Sequence, residues 1–204
     1  MPKALRSGDV FVNCPFDDGY KPIFEAIGFA VHDIGFVARC ALEEDDASEQ
    51  RFSKIERIIE QCRFGIHDLS AVELDRATCL PHFNMPFELG VFLGCKRFGG
   101  DAQRQKVTLI LDADRYRYRT FISDLSASTS THGGRPEQAI REVRNWLAVD
   151  SRRKLIPGGT QVVGRYERFR AELPSLCAEA SLNPTDLTFR DLSDIIATWL
   201  KTSR

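Results

Sequence analysis

A glutamate at the start of an apolar segment is the residue of this sequence best suited to chemistry. Glu88 lies in FNMPFELG, residues 83–90, where Pro86 is typical of a first helical turn. The backbone N–H groups and the positive end of the helix dipole favour the ionised form of a carboxylate there. Such a carboxylate, if it faces a closed pocket, can act as a nucleophile or stabilise a sugar cation. Acidic residues also occupy first turns without a catalytic role, but the neighbouring Leu89 and Phe92 predict that this helix is buried.

Further polar and aromatic side chains lie at the ends of three predicted strands. The strands are DVFVN, RFGIHD and KVTLILD, at residues 9–13, 63–68 and 106–112, which are apolar runs rich in β-branched and aromatic residues. In an open parallel sheet, ligands bind beyond the carboxyl ends of the strands. The side chains at these ends that suit a ligand are those of Asn13, Phe16, Asp17, Asp68, Ser70, Asp112 and Asp114.

Helices are predicted between these strands because apolar residues recur there at helical spacing. The predicted helices are residues 18–33, 49–61 and 85–97, and a further strand is predicted at residues 35–41. Strands that alternate with single helices predict an α/β fold, in which a parallel sheet has helices on both faces. The apolar run at residues 106–112 agrees, because strands of such sheets are buried on both sides.

The pattern changes in the second half of the chain. Residues 115–132 are mostly polar or small and predict no regular structure. Helices are predicted at residues 135–149, 160–180 and 189–202. A charged connection rich in Pro and Gly, residues 151–159, separates the first of these helices from the other two.

The length of 204 residues fits one domain with an extension better than two domains. We expect an α/β domain at residues 1–150 and a helical C-terminal extension at residues 151–204. The 28 basic and 29 acidic residues give no global field that would attract nucleic acid or an anionic membrane. Because no run of about 18 apolar residues occurs, we expect no membrane span, and we do not expect nucleic acid as a partner.

The cysteines and histidines give no specific metal or thiol motif. The six cysteines form no CxxC pair, which is typical of reduced thiols in a cytoplasmic protein. Cys79 and His82 have the spacing of half a zinc site, but the second half is missing, so no metal is predicted. Cys14 lies at a strand end without a recognisable histidine partner for a nucleophilic thiol.

Basic and aromatic residues alternate in the segment RYRYR, residues 115–119. On a strand, the arginines would share one face and the tyrosines the other. Such a face could bind phosphates or single-stranded nucleic acid. A solvated edge is the alternative that the balanced net charge favours.

Two motifs resemble known families. The segment MPFELGVFLGCKRFG, residues 85–99, followed by KVTLILD, resembles the glutamate motif of the nucleoside 2-deoxyribosyltransferase superfamily. The opening VFVNCPFDD is similar to the first strand and loop of Toll/interleukin-receptor (TIR) domains, some of which cleave NAD. The chain also resembles a group of bacterial proteins that share VNCPFD, GIHDLS and FNMPFELG. The resemblance covers residues 9–114 and implies a flavodoxin-like or TIR-like parallel sheet.

The resemblance implies a role for particular residues. Glu88 would be the catalytic carboxylate that attacks or stabilises C1′ of a ribosyl group. The substrate-binding residues that it implies are Asn13, Phe16, Asp17, Asp68, Ser70, Asn84 and Met85. Phe16, Phe83 and Phe87 are candidates for stacking on the base, and ordinary core packing is the alternative for each of them.

The function that follows is cleavage of the N-glycosidic bond of a nucleoside, a nucleotide or NAD, by hydrolysis or by transfer. NAD or a nucleotide would be the substrate, and no cofactor is expected. The resemblance further implies a cytoplasmic bacterial defence effector that acts as a homo-oligomer. The alternatives are a TIR-like module that binds a nucleotide without turnover and a module whose helical extension drives assembly.

Overall fold

The computed structural model describes residues 5–43, 50–72, 79, 82–122, 125, 127–153 and 155–203. Five strands form one parallel sheet in the order β2-β1-β3-β4-β5. The strands are β1 (Arg6–Asn13), β2 (Val37–Arg39), β3 (Cys62–Asp68), β4 (Val107–Asp112) and β5 (Ser128–Thr131). The helices are α1 (Lys21–Asp33), α2 (Arg51–Gln61), α3 (Asn84–Phe98), α4 (Pro136–Asp150), α5 (Gly159–Glu179) and α6 (Phe189–Thr202).

This architecture confirms the predicted α/β class with a flavodoxin-like sheet. The strand order 2-1-3-4-5 is the flavodoxin-like order, in which the direction of strand addition reverses between β1 and β3. Helices α2 and α3 cover one face of the sheet, and α1 and α4 cover the other. Two short 3₁₀ helices, Gln103–Gln105 and Arg117–Thr120, lie before and after β4.

Alternation along β1 assigns its side chains to the two faces. Val10 and Val12 point into the core shared with α1 and α4, whereas Phe11 packs with α2 and α3. Asn13 lies on the Phe11 side by the same alternation, and its side chain reaches α3. The strand therefore ends with a polar side chain under the first turn of α3.

The strand β5 was not predicted from the sequence. Its residues are Ser128–Thr131, four small polar residues at the edge of the sheet that are exposed or half-buried. Such a strand lacks the apolar alternation by which strands are recognised, so only its pairing with β4 defines it.

The C-terminal helices pack on α1 and share its core. Phe29 of α1 contacts the rings of Tyr166, Phe169 and Trp199, with centroid distances of 5.4, 5.2 and 5.9 Å. One apolar cluster includes residues of α1, α4, α5 and α6. Among the helices of the described ranges there is no candidate for a membrane span. The division at residue 150 stays a prediction, and the shared core predicts that both parts unfold together.

We expect Phe29→Ala to lower the free energy of unfolding by about 3–5 kcal/mol, because it removes a fully buried ring that joins α1 to α5 and α6. Urea unfolding followed by circular dichroism and by the fluorescence of Trp146 and Trp199 measures this. The wild type should show one common midpoint. Separate midpoints for the two probes in the wild type would show that the C-terminal helices unfold independently.

Candidate active site

A cavity of about 230 Å³ opens between the end of β1 and the start of α3. It lies beside the reversal point of the sheet, where flavodoxin-like folds bind their ligands. The residues that line it are Asn13, Cys14, Pro15, Phe16, Asp17, Arg51, Ala71, His82, Asn84, Met85 and Glu88. Six residues predicted from the sequence therefore meet here, namely Asn13, Phe16, Asp17, Asn84, Met85 and Glu88.

Asn13 joins three parts of the chain beneath this cavity. Its side chain is buried, and Nδ2 donates to the carbonyl oxygen of Met85 at 2.9 Å and to Nδ1 of His67 at 3.0 Å. The Met85 carbonyl can only accept, which assigns the side-chain nitrogen of Asn13 to that side. Both hydrogens of Nδ2 are then used, so Oδ1 is the atom that Asn13 can offer to a ligand in the cavity.

His67 is a neutral acceptor for this amide. Burial, with a smaller contribution from the positive charge of Lys106, lowers the pKa of His67 to about 3. Since Nδ1 accepts from Asn13, the proton of the neutral ring lies on Nε2. The ring packs edge-on against Phe11 and Phe92, with centroid distances of 5.7 and 5.1 Å. His67 therefore supports the site from the core and does not titrate near neutral pH.

Gly65 makes room for the His67 ring. A Cβ atom at this position of β3 would lie 2.8 Å from Nε2 of His67 and 2.8 Å from the ring of Phe92. No real Cβ atom approaches its neighbours so closely, so any larger residue would displace one of the two rings. The glycine thus keeps His67 under Asn13.

Glu88 lies at the fifth position of α3, just past the first turn, and faces the cavity. Its side chain is largely buried, with a relative exposure of 7% for the residue. Among the residues that the structure describes, none forms a hydrogen bond that affects the pKa of its carboxyl group. A buried polar group without a partner is costly, so the position favours a ligand that supplies one.

The ionised form of Glu88 that the sequence predicts stays a prediction, and burial acts against it. Burial raises the pKa of Glu88 to about 7, and the positive charge of Arg51 opposes this increase. Beyond the first turn the helix dipole is weak, so loss of hydration dominates. A carboxyl group with a pKa near 7 exchanges its proton readily at neutral pH, which suits a catalytic acid, base or nucleophile.

Asp68 and Ser70 do not line the cavity, in contrast to the sugar contacts expected of them. The Asp68 carboxylate is fully buried and lies 3.0 Å from Nε2 of His132 and 2.8 Å from the backbone nitrogen of Ser70. Burial alone would raise the pKa of Asp68, but the hydrogen bonds from His132 and Ser70 hold it below its usual value. The carboxylate is thus occupied in joining β3 to the loop after β5.

Ser70, His132 and Asp68 do not form a nucleophilic triad, although their residue types match one. Both the Ser70 hydroxyl and Asp68 approach Nε2 of His132, at 3.0 Å each. The backbone N–H of Gly134 donates to Nδ1, so the proton of the ring lies on Nε2. A protonated Nε2 cannot take the proton of Ser70, as a triad histidine must.

The RYRYR segment forms no strand. Tyr116 has a left-handed backbone with φ of 64°, and a 3₁₀ helix begins at Arg117. The Arg117 guanidinium donates to the Asp112 carboxylate and to the carbonyl oxygens of Leu69 and Ser70. This arginine therefore ties the loops after β3 and β4 together instead of presenting a basic face.

Sequence reasoning missed Arg51 and His82 as cavity residues. Arg51 is the first residue of α2, and β2 ends at the same edge of the sheet as β1. A helix that follows a strand of this sheet begins at the ligand-binding edge, so the predicted helix at 49–61 already indicated a residue at the cavity.

Of the exposed rings proposed for stacking, Phe16 lines the cavity, whereas Phe83 and Phe87 do not.

In the described residues, no group of three or more His, Cys, Asp or Glu side chains is arranged to hold a metal ion. Comparison with models of protein families found no match, and comparison with curated proteins found no significant relative.

We expect Asn13→Leu to lower the free energy of unfolding by about 1–3 kcal/mol, because the Met85 carbonyl and Nδ1 of His67 both lose their donor. Urea unfolding measures the change, and Asn145→Leu on the exposed side of α4 serves as the matched control. Equal stabilities of the two variants would contradict the role of Asn13.

We expect the stability of Glu88→Gln relative to wild type to increase with pH. The folded state raises the pKa of Glu88 from 4.5 to about 7, so the wild type loses stability as pH rises from about 4.5 through 7. The full loss is roughly 3 kcal/mol, which the glutamine variant does not undergo. Urea unfolding at pH 4 and pH 8 measures both proteins, with the exposed Glu167→Gln as control. A difference independent of pH would contradict the buried site.

Proposed function

We propose that this chain cleaves the N-glycosidic bond of a nucleoside, a nucleotide or NAD, with Glu88 as the reacting carboxylate. The observation that carries the proposal is a buried carboxylate that has no hydrogen-bonding partner among the described residues and faces a cavity at the reversal point of the sheet. Its pKa of about 7 lets it act in either protonation state at neutral pH. The resemblance of residues 85–99 to the deoxyribosyltransferase glutamate motif supports the same role.

The chemistry requires a group that stabilises positive charge on the sugar. As the bond between C1′ and the base nitrogen breaks, its electron pair leaves with the base and C1′ becomes cationic. Ionised Glu88, held about 3 Å from C1′, would stabilise this cation or form an ester with it. Water then supplies a hydroxyl group to C1′ and a proton to the released base. Transfer would instead deliver the sugar to a second base.

The size of the cavity suits the ribosyl part of the substrate. Its volume of about 230 Å³ lies below the range of roughly 300–1,000 Å³ common for drug-sized ligands. A sugar can lie inside, with Asn13 Oδ1 available to accept from one of its hydroxyl groups. Phe16 lines the cavity and is 37% exposed, and in this proposal its ring stacks on the base.

A cytoplasmic defence effector that acts as a homo-oligomer remains part of this proposal on the strength of the family resemblance. The competing proposal is a module that binds a nucleotide without turnover, and it predicts occupation of the same cavity. The two differ in whether a free base is released.

Incubation with nucleosides, nucleotides and NAD, followed by chromatography of the released base, tests the function. We expect Glu88→Gln to reduce release by at least about hundredfold, because general acid–base or nucleophilic assistance is lost. The rate should rise with pH through about 7 as Glu88 ionises. Glu167→Gln, an exposed substitution on α5, should release base at the wild-type rate.

Equal rates for wild type and Glu88→Gln would contradict the proposal. Thermal stabilisation by a nucleotide without any released base would favour the module without turnover.

A further inference from the structure

We infer that the start of α2 forms a phosphate subsite in the cavity, with Arg51 as its anchoring residue, so that the substrate carries a phosphate on its sugar. The inference rests on the proposed function for the placement of the sugar next to Glu88. It adds the substrate class, a phosphorylated nucleoside, and names a specificity-determining residue outside the motifs of the sequence.

Arg51 is a cation of the cavity that has no competing partner among the residues that the structure describes. Its side chain lines the cavity together with Glu88 and Asp17. Among the described residues, no hydrogen bond or ion pair occupies its guanidinium. Its positive charge lowers the pKa of Glu88 against the larger effect of burial. The fork of N–H groups is therefore available for a ligand, and phosphate is the anion that it binds in bidentate fashion.

The backbone of α2 adds donors at the same place. The helix starts at Arg51, and the side chain of Gln50 makes no capping hydrogen bond. The first turn holds no acidic residue that would compete with an anion. First-turn N–H groups and the positive end of the helix dipole favour a phosphate, as they do in many nucleotide-binding proteins.

Glu88 supplies the independent sign that a ligand fills this cavity. The residue is more than nine-tenths buried, its carboxylate has no hydrogen-bonding partner among the described residues, and it faces the same space as Arg51. A single ligand that binds both residues would place polar groups of a sugar next to Glu88 and a negative charge next to Arg51. A sugar phosphate has this composition, whereas an unmodified nucleoside leaves Arg51 without a partner.

The charges of the cavity explain how a phosphate and a carboxylate share it. Glu88 has a pKa of about 7, so it carries only part of a negative charge at neutral pH. A phosphate bound to Arg51 offsets the positive charge that favours ionised Glu88, and it therefore favours the protonated carboxyl group. Binding of the phosphate and protonation of Glu88 consequently support each other.

Calorimetric titration with ribose 5-phosphate and with ribose tests the subsite. Neither probe has an N-glycosidic bond, so the result is independent of turnover. We expect wild-type protein to bind ribose 5-phosphate at least tenfold more tightly than ribose. Arg51→Gln should remove most of this preference, because charge-assisted hydrogen bonds contribute on the order of a tenfold change or more. Arg51→Lys should keep part of it through charge alone.

The matched control is Arg97→Gln, an exposed arginine in the last turn of α3, which should keep the full preference. The affinity of the wild type for ribose 5-phosphate should also fall as salt is added. Equal affinities for the two sugars in the wild type, or an unchanged preference in Arg51→Gln, would overturn the subsite. A preference that depends on Arg51 in a protein that releases no base would leave the subsite in place and overturn only the proposed cleavage.

Discussion

The geometry of the site depends on the amide nitrogen of Asn13, which donates at once to the Met85 carbonyl and to the neutral ring of His67. These two bonds join the end of β1, the end of β3 and the first turn of α3. The orientation of α3 relative to the sheet, and with it the direction of Glu88, follows from them. Gly65 contributes by its lack of a side chain, since His67 and Phe92 occupy the space that a Cβ atom would need.

Burial then determines the chemistry of Glu88. The residue is only 7% exposed, and no hydrogen bond from a described residue compensates the loss of hydration of its carboxylate. The raised pKa is the consequence, and Arg51 limits it. Asp68 shows the opposite outcome at a neighbouring strand end, because hydrogen bonds from His132 and Ser70 compensate its burial and hold its pKa low. The carboxylates of Glu88 on α3 and Asp68 on β3 thus differ because, among the described residues, only Asp68 has hydrogen-bond donors.

Much of this arrangement could be predicted from the sequence. The apolar strands ending at Asn13, Asp68 and Asp112 follow from periodicity, and the rule for open parallel sheets places their ends together. The direction of the Asp68 side chain could not be predicted, because its partner His132 lies 64 residues away, after a strand of small polar residues that has no apolar pattern. The raised pKa of Glu88 could not be predicted, because the helix dipole can be inferred from a sequence, whereas the loss of hydration depends on packing. Arg51 was missed because the rule was applied to the residues that follow the strands, and the first residues of the helices at the same edge of the sheet were not considered.

The central claim is that the Glu88 carboxyl group is buried in the cavity and titrates near neutral pH. Carbon-13 NMR of protein labelled at the glutamate carboxyl carbons measures this directly, with the resonance of Glu88 assigned by its absence in Glu88→Gln. The account predicts that this resonance titrates with a pKa of about 7 and that a ligand in the cavity shifts it. A resonance that titrates near 4.5, the ordinary value for glutamate, would contradict the account.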